Sequence, residues 1–282
     1  MYNPWLEGLI KNALEEDVGS GDLTSCGVVE ASLTGEGKIY AREAGVVAGL
    51  EVARKVFQVV DPGVQFTPYF KDGDRVERGD SVALVSGALL SLLTAERTAL
   101  NFLQRMSGIA SVTREFCDLL GDSGVQLLDT RKTTPGLRFL EKYAVRAGGG
   151  RNHRFGLYDG VLIKENHILA SGGVKKALQK VKGSVPVTVK IEIEVTSMEQ
   201  LREALQEGAD IIMLDNWDVE KLEEAVRLAR GKAKLEVSGE VTRERLKEII
   251  SAGVDYVSSG YLTHTSGILN FSFLLLKENA KR

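Results

Sequence analysis

The feature of this sequence that most constrains its fold is a repeated strand and helix pattern in the second half of the chain. Short apolar runs alternate with helical patterns, and four successive runs end at Glu194, Asp215, Ser238 and Ser259. These residues are 21, 23 and 21 positions apart, which is a regular period. Strands that alternate with helices of this length are typical of βα units and a parallel sheet. Because the runs end in charged or small polar residues and no G-x-G-x-x-G follows the first strand, the pattern favours a barrel over an open sheet.

The first part of the chain lacks this repeat and predicts a separate α+β domain. Apolar residues recur at helical spacing from Trp5 to Glu16 and again from Glu51 to Val60. Residues 71–87 contain two Gly turns around short alternating runs and predict a hairpin. A long helical pattern follows from Leu89 to Leu120, with an interruption expected near Ser107 and Gly108.

Domain bounds follow from these patterns and from the tail. The tail, GILNFSFLLL, alternates apolar and polar residues, which predicts a strand that returns to the N-terminal domain. We therefore expect an N-terminal α+β sandwich domain at residues 1–107, to which residues 268–282 return. The barrel domain is expected at residues 108–267, where six strands can be counted.

Composition narrows the functional classes. Hydrophobic residues make up 43% and charged residues 27% of the chain, which is ordinary for a soluble enzyme. No apolar run approaches the roughly 18 residues of a membrane span, and the N-terminus lacks a signal pattern, so we expect a cytoplasmic protein with no membrane partner. Cys26 and Cys117 have neither disulfide nor metal-site spacing. A pI of about 5.8 argues against a general nucleic-acid surface.

An anion site must then be a local concentration of positive charge. Residues 130–167 contain one, because they carry eight Lys or Arg and three Asp or Glu in a chain whose net charge is -3. The stretch follows an apolar run and is broken by Gly148, Gly149 and Gly150, unlike a solvated helix face. It predicts a site for an anionic ligand. The basic residues are Arg131, Lys132, Arg138, Lys142, Arg146, Arg151, Arg154 and Lys164.

The same stretch carries a family resemblance. Its blocks DTRKTTPG, KYAVRAGGGRNHR and LIKENH resemble quinolinate phosphoribosyltransferase, the decarboxylating nicotinate-nucleotide pyrophosphorylase, and the resemblance extends over nearly the whole chain. It implies an incomplete α/β barrel of six or seven strands beside an N-terminal α+β sandwich domain. It also implies phosphoribosyl transfer from phosphoribosyl pyrophosphate to quinolinate with decarboxylation, and Mg²⁺ as the cofactor.

The strand ends supply groups that suit these substrates. Arg offers a planar fork that matches carboxylate or phosphate, and Lys offers a compact point charge. We predict substrate binding by Arg97, Thr130, Arg131, Lys132, His153, Arg154, Lys164, Glu194 and Asp215, and catalysis by Lys132, Lys164, Glu194 and Asp215. The alternative is a salt-bridge network inside the barrel, which is a stronger alternative for Arg138 and His167 than for the catalytic residues.

The two acids have a different expected role. A carboxylate that faces anions repels them unless a cation lies between, and Mg²⁺ is commonly held by one or two carboxylates and substrate phosphates. Glu194 and Asp215 are therefore the candidate metal residues, and they can also stabilise the oxocarbenium charge that develops at the ribose. Glu192 is the alternative to Glu194, because it points to the same face but lies deeper in the barrel.

Small residues at the last two strand ends predict a phosphate site. Exposed backbone N–H groups there can bind a phosphate, as is common in barrels. The candidates are Ser238, Gly239, Glu240, Ser259, Gly260 and Tyr261. The family usually has a second Gly where this chain has Glu240, which places a side chain where bare backbone is expected.

Arg97 is a candidate because it lies in a further family block, AERTALNFLQRMSGIAS. The resemblance implies that this Arg reaches the active site of another subunit. We therefore expect a homodimer or a higher homo-oligomer with shared active sites.

Three other functions stay open from the sequence. A related phosphoribosyltransferase can act on another pyridine carboxylate, including nicotinate without decarboxylation. An aldolase-like barrel can use Lys164 in a Schiff base. A carrier or binding protein is suggested by the predicted hairpin at residues 71–87, with Lys71 as the modified residue.

Overall fold

The computed structural model describes residues 4–239, 241 and 243–276. Glu240, one of the predicted phosphate-binding residues, lies outside the described residues. The chain divides into two compact units, which are considered separately. The first comprises Met1–Val112, Phe139–Gly149 and Ser266–Arg282, and the second comprises Thr113–Arg138 and Gly150–Thr265.

The described residues form both helices and strands. In chain order they are α1 (Pro4–Val18), α2 (Leu23–Val28), β1 (Thr34–Ala41), β2 (Gly45–Val46), α3 (Leu50–Val60), β3 (Gln65–Pro68), β4 (Arg75–Val76), β5 (Ser81–Ala88), α4 (Leu89–Leu120), β6 (Gln126–Leu128), α5 (Arg138–Ala147) and β7 (Val161–Ile163). They continue with α6 (Glu165–Ser171), α7 (Val174–Lys182), β8 (Ile191–Val195), α8 (Met198–Gln206), β9 (Ile211–Asp215), α9 (Val219–Ala229), β10 (Lys234–Ser238), α10 (Arg243–Ala252), β11 (Tyr256–Ser258), α11 (Tyr261–His264) and β12 (Phe271–Leu275).

The first unit contains an antiparallel sheet with the strand order β12, β1, β5, β3. Helix α3 buries one face, which includes Val52, Val56 and Phe57, while Lys55 on its other face is exposed. The Phe57 ring lies 6.1 Å from the rings of both Phe66 and Phe273, so α3 and two strands share one apolar core. Burial of such aromatic side chains stabilises the unit by removing apolar area from water.

The predicted hairpin at residues 71–87 is wrong, because its two strands have different partners. Strand β4 pairs with β2, whereas β5 pairs with β1 and β3. The predicted Gly turns are confirmed, but a turn signal does not indicate which strand a short run pairs with.

The predicted interruption of the long helix is also wrong, because α4 is continuous from Leu89 to Leu120. Ser107 and Gly108 serve packing instead. The Ser107 hydroxyl accepts the N–H of Ala48 at 2.9 Å and donates to the Ala48 carbonyl at 3.1 Å. A Cβ on Gly108 would meet the Gly267 carbonyl and lie 2.8 Å from Ile268 Cα, so only Gly permits this close backbone approach.

The second unit contains the predicted parallel sheet. Its six strands are ordered β6, β11, β10, β9, β8, β7, and all of these neighbours pair in parallel. No pairing joins β6 to β7 within the described part of the chain, as expected of an incomplete barrel. The carboxyl ends of the strands meet at one edge, and Asp215 lies beside Ser238 in register.

Two helices of the second unit begin at residues whose side chains cap them. Ser197 caps α8 by accepting the N–H of Gln200, and Asp218 caps α9 by accepting the N–H of Lys221. The helical patterns in the sequence predict helices at Met198–Gln206, Val219–Ala229 and Arg243–Ala252, and α8, α9 and α10 have these bounds. Among the residues described, no helix has both the length and the apolar character that a membrane crossing needs.

Candidate active site

The loop after β6 carries the first group of predicted residues, and its backbone is fixed from two sides. The N–H of Lys132 donates to Thr130 Oγ1 at 3.0 Å, and the Lys132 carbonyl accepts the hydroxyl of Thr263 at 2.6 Å. The Lys132 side chain lies against Gly260, where a Cβ would be 2.7 Å from Lys132 Cδ. The structure therefore brings the loop after β6 next to the loop after β11.

The guanidinium of Arg138 makes its hydrogen bonds within the protein. Its Nε donates to Thr133 Oγ1 at 2.9 Å, and its two terminal nitrogens donate to the carbonyls of Phe155 at 3.1 Å and Arg131 at 3.2 Å. This pattern supports the structural alternative for Arg138, because the guanidinium joins two loops of the second unit rather than presenting its donors to a ligand.

A buried network holds the segment that contains His153 and Arg154. Asp129, which is fully buried, accepts the N–H of His153 at 2.9 Å and the side-chain amide of Asn152 at 2.6 Å. His153 Nδ1 accepts the N–H of Arg154 at 2.7 Å, and His153 Nε2 lies 2.7 Å from Glu192 Oε2. The Arg154 guanidinium donates to the Gly160 carbonyl at 3.0 Å.

Two positive charges remain close together beside this network. Burial in the first place, and the charge of Arg131 in the second, lower the pKa of Arg154. An Arg stays protonated despite such a shift. Arg131 and Arg154 therefore form a charged place that an anion can neutralise.

Glu236 was missed by the sequence analysis. Glu192 on β8 and Glu236 on β10 are 2% and 0% exposed, and Glu236 Oε2 lies 3.8 Å from His153 Nε2. Burial, followed by the negative charge of Glu192, raises the pKa of Glu236 to about 8. The sequence signal for Glu236 was its position two residues before Ser238, a predicted site residue. Because side chains alternate along a strand, Glu236 and Ser238 lie on the same face of β10.

Lys164 and Glu194 form an ion pair at the ends of β7 and β8. Lys164 Nζ lies 2.8 Å from Glu194 Oε2, and the Lys164 side chain is half exposed. His167 does not point its Nδ1 to a ligand site, because that atom accepts the N–H of Lys164 at 2.9 Å and so caps the start of α6. The structural alternative is therefore supported for His167.

Asp215 lies close enough to Glu194 for the two charges to interact. Burial, and after it the negative charge of Glu194, raises the pKa of Asp215, while Lys164 acts in the opposite direction. Asn216 Nδ2 donates to Asp215 Oδ2 at 3.1 Å from a left-handed backbone with φ of 58°, which Asn tolerates better than most residues. Two neighbouring carboxylates are a donor set that suits a hard divalent cation.

The predicted phosphate residues lie at the ends of β10 and β11. Gly239 has a φ of 126°, and a Cβ there would meet the side chain of Asn216, with the Asn216 Cγ at 3.1 Å. Ser259 is buried, and its Oγ accepts the N–H of Tyr261 at 3.3 Å. The Tyr261 ring stacks on Phe116, with 6.0 Å between ring centres, which gives this residue a packing role.

Arg97 belongs to the first unit, whereas the other predicted substrate-binding residues belong to the second. Its side chain is exposed on α4, and the described residues offer its guanidinium no hydrogen bond or ion pair. The preceding residue, Glu96, is half buried, and burial raises the pKa of its carboxyl.

Comparison with known proteins covers almost the entire chain. The family models described as the N-terminal and C-terminal domains of quinolinate phosphoribosyl transferase match residues 22–107 and 109–274. The chain is 44% identical over 267 residues to the probable nicotinate-nucleotide pyrophosphorylase [carboxylating] of Bacillus subtilis, covering 95% of this chain and 92% of that protein. It is 40% identical to quinolinate phosphoribosyltransferase [decarboxylating] 2a, mitochondrial, of Nicotiana tabacum, covering 98% and 83% of the two chains.

Solved structures of proteins with related names have the same fold. NadC from Streptococcus pyogenes superposes with a TM-score of 0.94 at 43% identity and covers 98% of this chain and 99% of its own. The nicotinate-nucleotide pyrophosphorylase of Francisella tularensis superposes with a TM-score of 0.94 at 39% identity, with 98% of each chain covered.

Proposed function

The chain belongs to the quinolinate phosphoribosyltransferase family, and from this premise we propose that the strand ends of its second unit form the active site. The enzyme is a pentosyltransferase of NAD biosynthesis. It transfers a phosphoribosyl group from phosphoribosyl pyrophosphate to the ring nitrogen of quinolinate and releases pyrophosphate. Loss of the 2-carboxylate as carbon dioxide then gives nicotinate mononucleotide.

The observation that carries the proposed site is the closeness of Arg131 and Arg154. Burial, followed by the charge of Arg131, lowers the pKa of Arg154, while Glu192 and Asp159 act in the opposite direction. The two guanidiniums are therefore near enough to interact, and together they attract an anion. Quinolinate has two adjacent carboxylates, and each can take a planar fork from an Arg. Lys132, after β6, and Lys164, after β7, add point charges.

Glu194 and Asp215 are proposed to act at the ribose. Breaking the bond between C1 and the pyrophosphate oxygen develops positive charge on the sugar, which a preorganised carboxylate stabilises. The ion pair with Lys164 keeps Glu194 oriented at 2.8 Å before substrate binds. These groups lie at adjacent strand ends, so one substrate molecule can contact both.

Mg²⁺ is proposed as the cofactor, held by Glu194 and Asp215 together with substrate phosphate oxygens. The raised pKa of Asp215 beside Glu194 fits a place where a divalent cation lowers the repulsion. When bound, the cation would supply charge neutralisation for the pyrophosphate that leaves.

The phosphate groups are proposed to lie at Ser238, Gly239, Ser259 and Gly260. The left-handed Gly239 leaves its backbone bare, and Lys132 lies against Gly260. For decarboxylation, the pyridinium ring is itself the electron sink, so the protein needs only to orient the carboxylate and exclude water.

We also propose that the working enzyme is a homodimer or a higher homo-oligomer in the cytoplasm. The exposed Arg97, with its guanidinium unengaged by the described residues, is suited to complete a site on another subunit. It would add one more positive charge for the substrate.

The test of function uses quinolinate labelled at the 2-carboxylate. We expect release of labelled carbon dioxide that depends on phosphoribosyl pyrophosphate and on Mg²⁺, with one nicotinate mononucleotide formed per carbon dioxide. Turnover of nicotinate without release of carbon dioxide would instead favour the related phosphoribosyltransferase.

The structure does not favour the Schiff-base aldolase or the carrier protein. A Schiff base needs a neutral amine, whereas the Lys164 ammonium is paired with Glu194. Borohydride trapping with sugar phosphates would reveal a modified Lys164. The carrier interpretation depended on a hairpin that the structure does not contain, and family membership gives it no support.

A further inference from the structure

We propose that His153 is a positioning residue, which acts on the substrate only by fixing the backbone of Arg154, and that Glu192 orients its ring. The inference rests on the proposed function, because it assigns Arg154 to quinolinate. It differs from the role predicted from the sequence, in which His153 contacts the substrate.

Both ring nitrogens of His153 are used within the protein. Nδ1 lies 2.7 Å from the backbone nitrogen of Arg154 and accepts its N–H. Because Nδ1 accepts, it carries no hydrogen, and the proton of the imidazole must be on Nε2. Nε2 lies 2.7 Å from Glu192 Oε2, so it donates there. Neither nitrogen is left for a ligand.

The same tautomer decides against a metal ion. The ligand atoms of His153, Glu192 and Glu236 all lie within 4.8 Å of one another, which is a spacing that a divalent cation could use. A metal-binding imidazole nitrogen must be deprotonated, and the other nitrogen then normally donates its hydrogen. Here the other nitrogen accepts from a backbone N–H, so Nε2 keeps its proton and donates it to Glu192. His153 and Glu192 therefore form a hydrogen-bonded strut, while Glu236 lies 3.8 Å from Nε2, beyond hydrogen-bond distance.

The His153 ring is held rigidly because its partner Glu192 is buried. Glu192 is 2% exposed, and Glu236, at 0% exposure, lies 3.8 Å from Nε2. If the ring rotated, it would bury the Nε2 hydrogen and the Glu192 oxygen without partners, which is costly inside a protein. The ring therefore stays where its Nδ1 meets the Arg154 N–H.

Arg154 is held at both of its ends as a result. Its backbone N–H donates to His153, and its guanidinium donates to the Gly160 carbonyl at 3.0 Å. Asp129 fixes the residue before it by accepting the His153 N–H at 2.9 Å. A small displacement of a substrate-binding group is enough to lower the rate about 100-fold, so removal of the ring is expected to act through a misplaced guanidinium.

Three substitutions separate the two ring nitrogens. The side-chain amide of Asn lies near the place of Nδ1, and that of Gln lies near the place of Nε2. We expect His153→Ala and His153→Gln to lower kcat/KM for quinolinate roughly 10- to 100-fold, chiefly through KM, with little change in KM for phosphoribosyl pyrophosphate. His153→Asn should restore kcat/KM to within about fivefold of the wild-type enzyme, because it supplies an acceptor for the Arg154 N–H.

A double-mutant cycle with Arg154→Ala distinguishes positioning from direct contact. If His153 acts through Arg154, adding His153→Ala to Arg154→Ala changes kcat/KM less than about twofold. A residue with its own substrate contact would lower kcat/KM by the same factor in both backgrounds. That result, or rescue by Gln but not by Asn, would overturn the inference.

Amide hydrogen exchange provides a readout that needs no activity. Exchange at the Arg154 amide should be slow in the wild-type protein and in His153→Asn, and faster in His153→Ala and His153→Gln, with the unfolding temperature of each variant measured alongside. Equal exchange in all four proteins would contradict the inference. Absence of carbon dioxide release by the wild-type enzyme would instead contradict the proposed function, and the exchange experiment would still decide the role of the ring.

Discussion

At the scale of single residues, buried acids surround His153, and the polar strand ends do not predict them. Asp129 directly follows β6, Glu192 lies in β8 and Glu236 lies in β10. All three acids are almost fully buried. The residues that were predicted, such as Glu194, Asp215 and Ser238, end their apolar runs and are visible as interruptions of the pattern. Glu236 lies within its run, where an acid next to apolar neighbours resembles ordinary strand alternation.

Glu236 gives a prediction about pH and stability. Its pKa in the folded protein is about 8, whereas an ordinary Glu has a pKa of 4.5. Between these values the folded protein keeps a proton that the unfolded chain has lost, so the free energy of unfolding falls as pH rises through this window. Glu236→Gln cannot titrate, and we expect its advantage over the wild-type protein to grow from pH 5 to pH 8.

Thermal unfolding at a series of pH values measures this advantage. Glu223→Gln on the exposed face of α9 is the control and should run parallel to the wild-type protein. A wild-type curve that rises with pH relative to Glu236→Gln would show that Glu236 is ionised and favourably paired in the folded state.

Gly239 gives a prediction about the phosphate site. Its φ of 126° disfavours a side chain, and a Cβ would also meet Asn216, which holds Asp215. We expect Gly239→Ala to lower the free energy of unfolding by about 1 to 3 kcal/mol and to raise KM for phosphoribosyl pyrophosphate.

The matched control is Gly231→Ala. Gly231 has a φ of 75°, and nothing lies within 4 Å of its Cβ position, so the substitution adds backbone strain alone. Chemical denaturation and steady-state kinetics should show a stability loss without a change in KM. Equal effects on KM from both substitutions would remove Gly239 from the phosphate site.

At the scale of helices and strands, periodicity predicted elements well and their partners poorly. The bounds of α8, α9 and α10 agreed with the structure because a regular apolar period marks a buried face. Ser107 and Gly108 predicted a break, although they allow close packing in the middle of α4. The Gly turns predicted a hairpin of β4 and β5, although β4 pairs with β2. Small residues and turns have local signals, whereas their packing partners are distant in sequence.

Gly108 gives a prediction whose sign depends on this packing. In an exposed helix interior, Gly→Ala stabilises by up to about 1 kcal/mol. In α4 the added methyl group would meet backbone atoms of Gly267 and Ile268, which cannot move aside as a flexible side chain can. We therefore expect Gly108→Ala to destabilise the protein by at least about 1 kcal/mol.

Gly8→Ala is the control with the opposite expected sign. Gly8 is exposed in α1 with nothing within 4 Å of its Cβ position, so helix propensity alone decides. Urea denaturation of the two variants compares them directly. Stabilisation by both substitutions would mean that the close approach of α4 to residues 267 and 268 is not a constraint.

At the scale of the whole molecule, the chain order does not match the order of the compact units. Helix α5 lies between two strands of the parallel sheet in sequence, yet residues 139–149 belong to the first unit. There the Glu141 carboxylate, 1% exposed, pairs with Arg105 at 2.8 Å, and the Tyr143 hydroxyl donates to Asp72 at 2.6 Å. The KYAV block carries part of the family resemblance. Its helical period predicts which face of α5 is buried, but it does not predict which residues that face packs against.

The central claim at this scale is a site that is built on one subunit and completed by Arg97 of another. Arg97→Ala and Lys164→Ala should each be nearly inactive alone, because losing a charged partner of a bound anion costs on the order of 2 to 5 kcal/mol. The two substitutions lie in different units of the chain, so each variant retains what the other lacks.

The most direct measurement is the rate of carbon dioxide release after the two inactive variants are mixed and allowed to exchange subunits. Random exchange makes half of the dimers heterodimers, and each of these has one intact site of two, so activity should recover to about a quarter of the wild-type rate. No recovery, with heterodimers shown by native mass spectrometry, would contradict the shared site and place Arg97 within its own subunit's chemistry or folding.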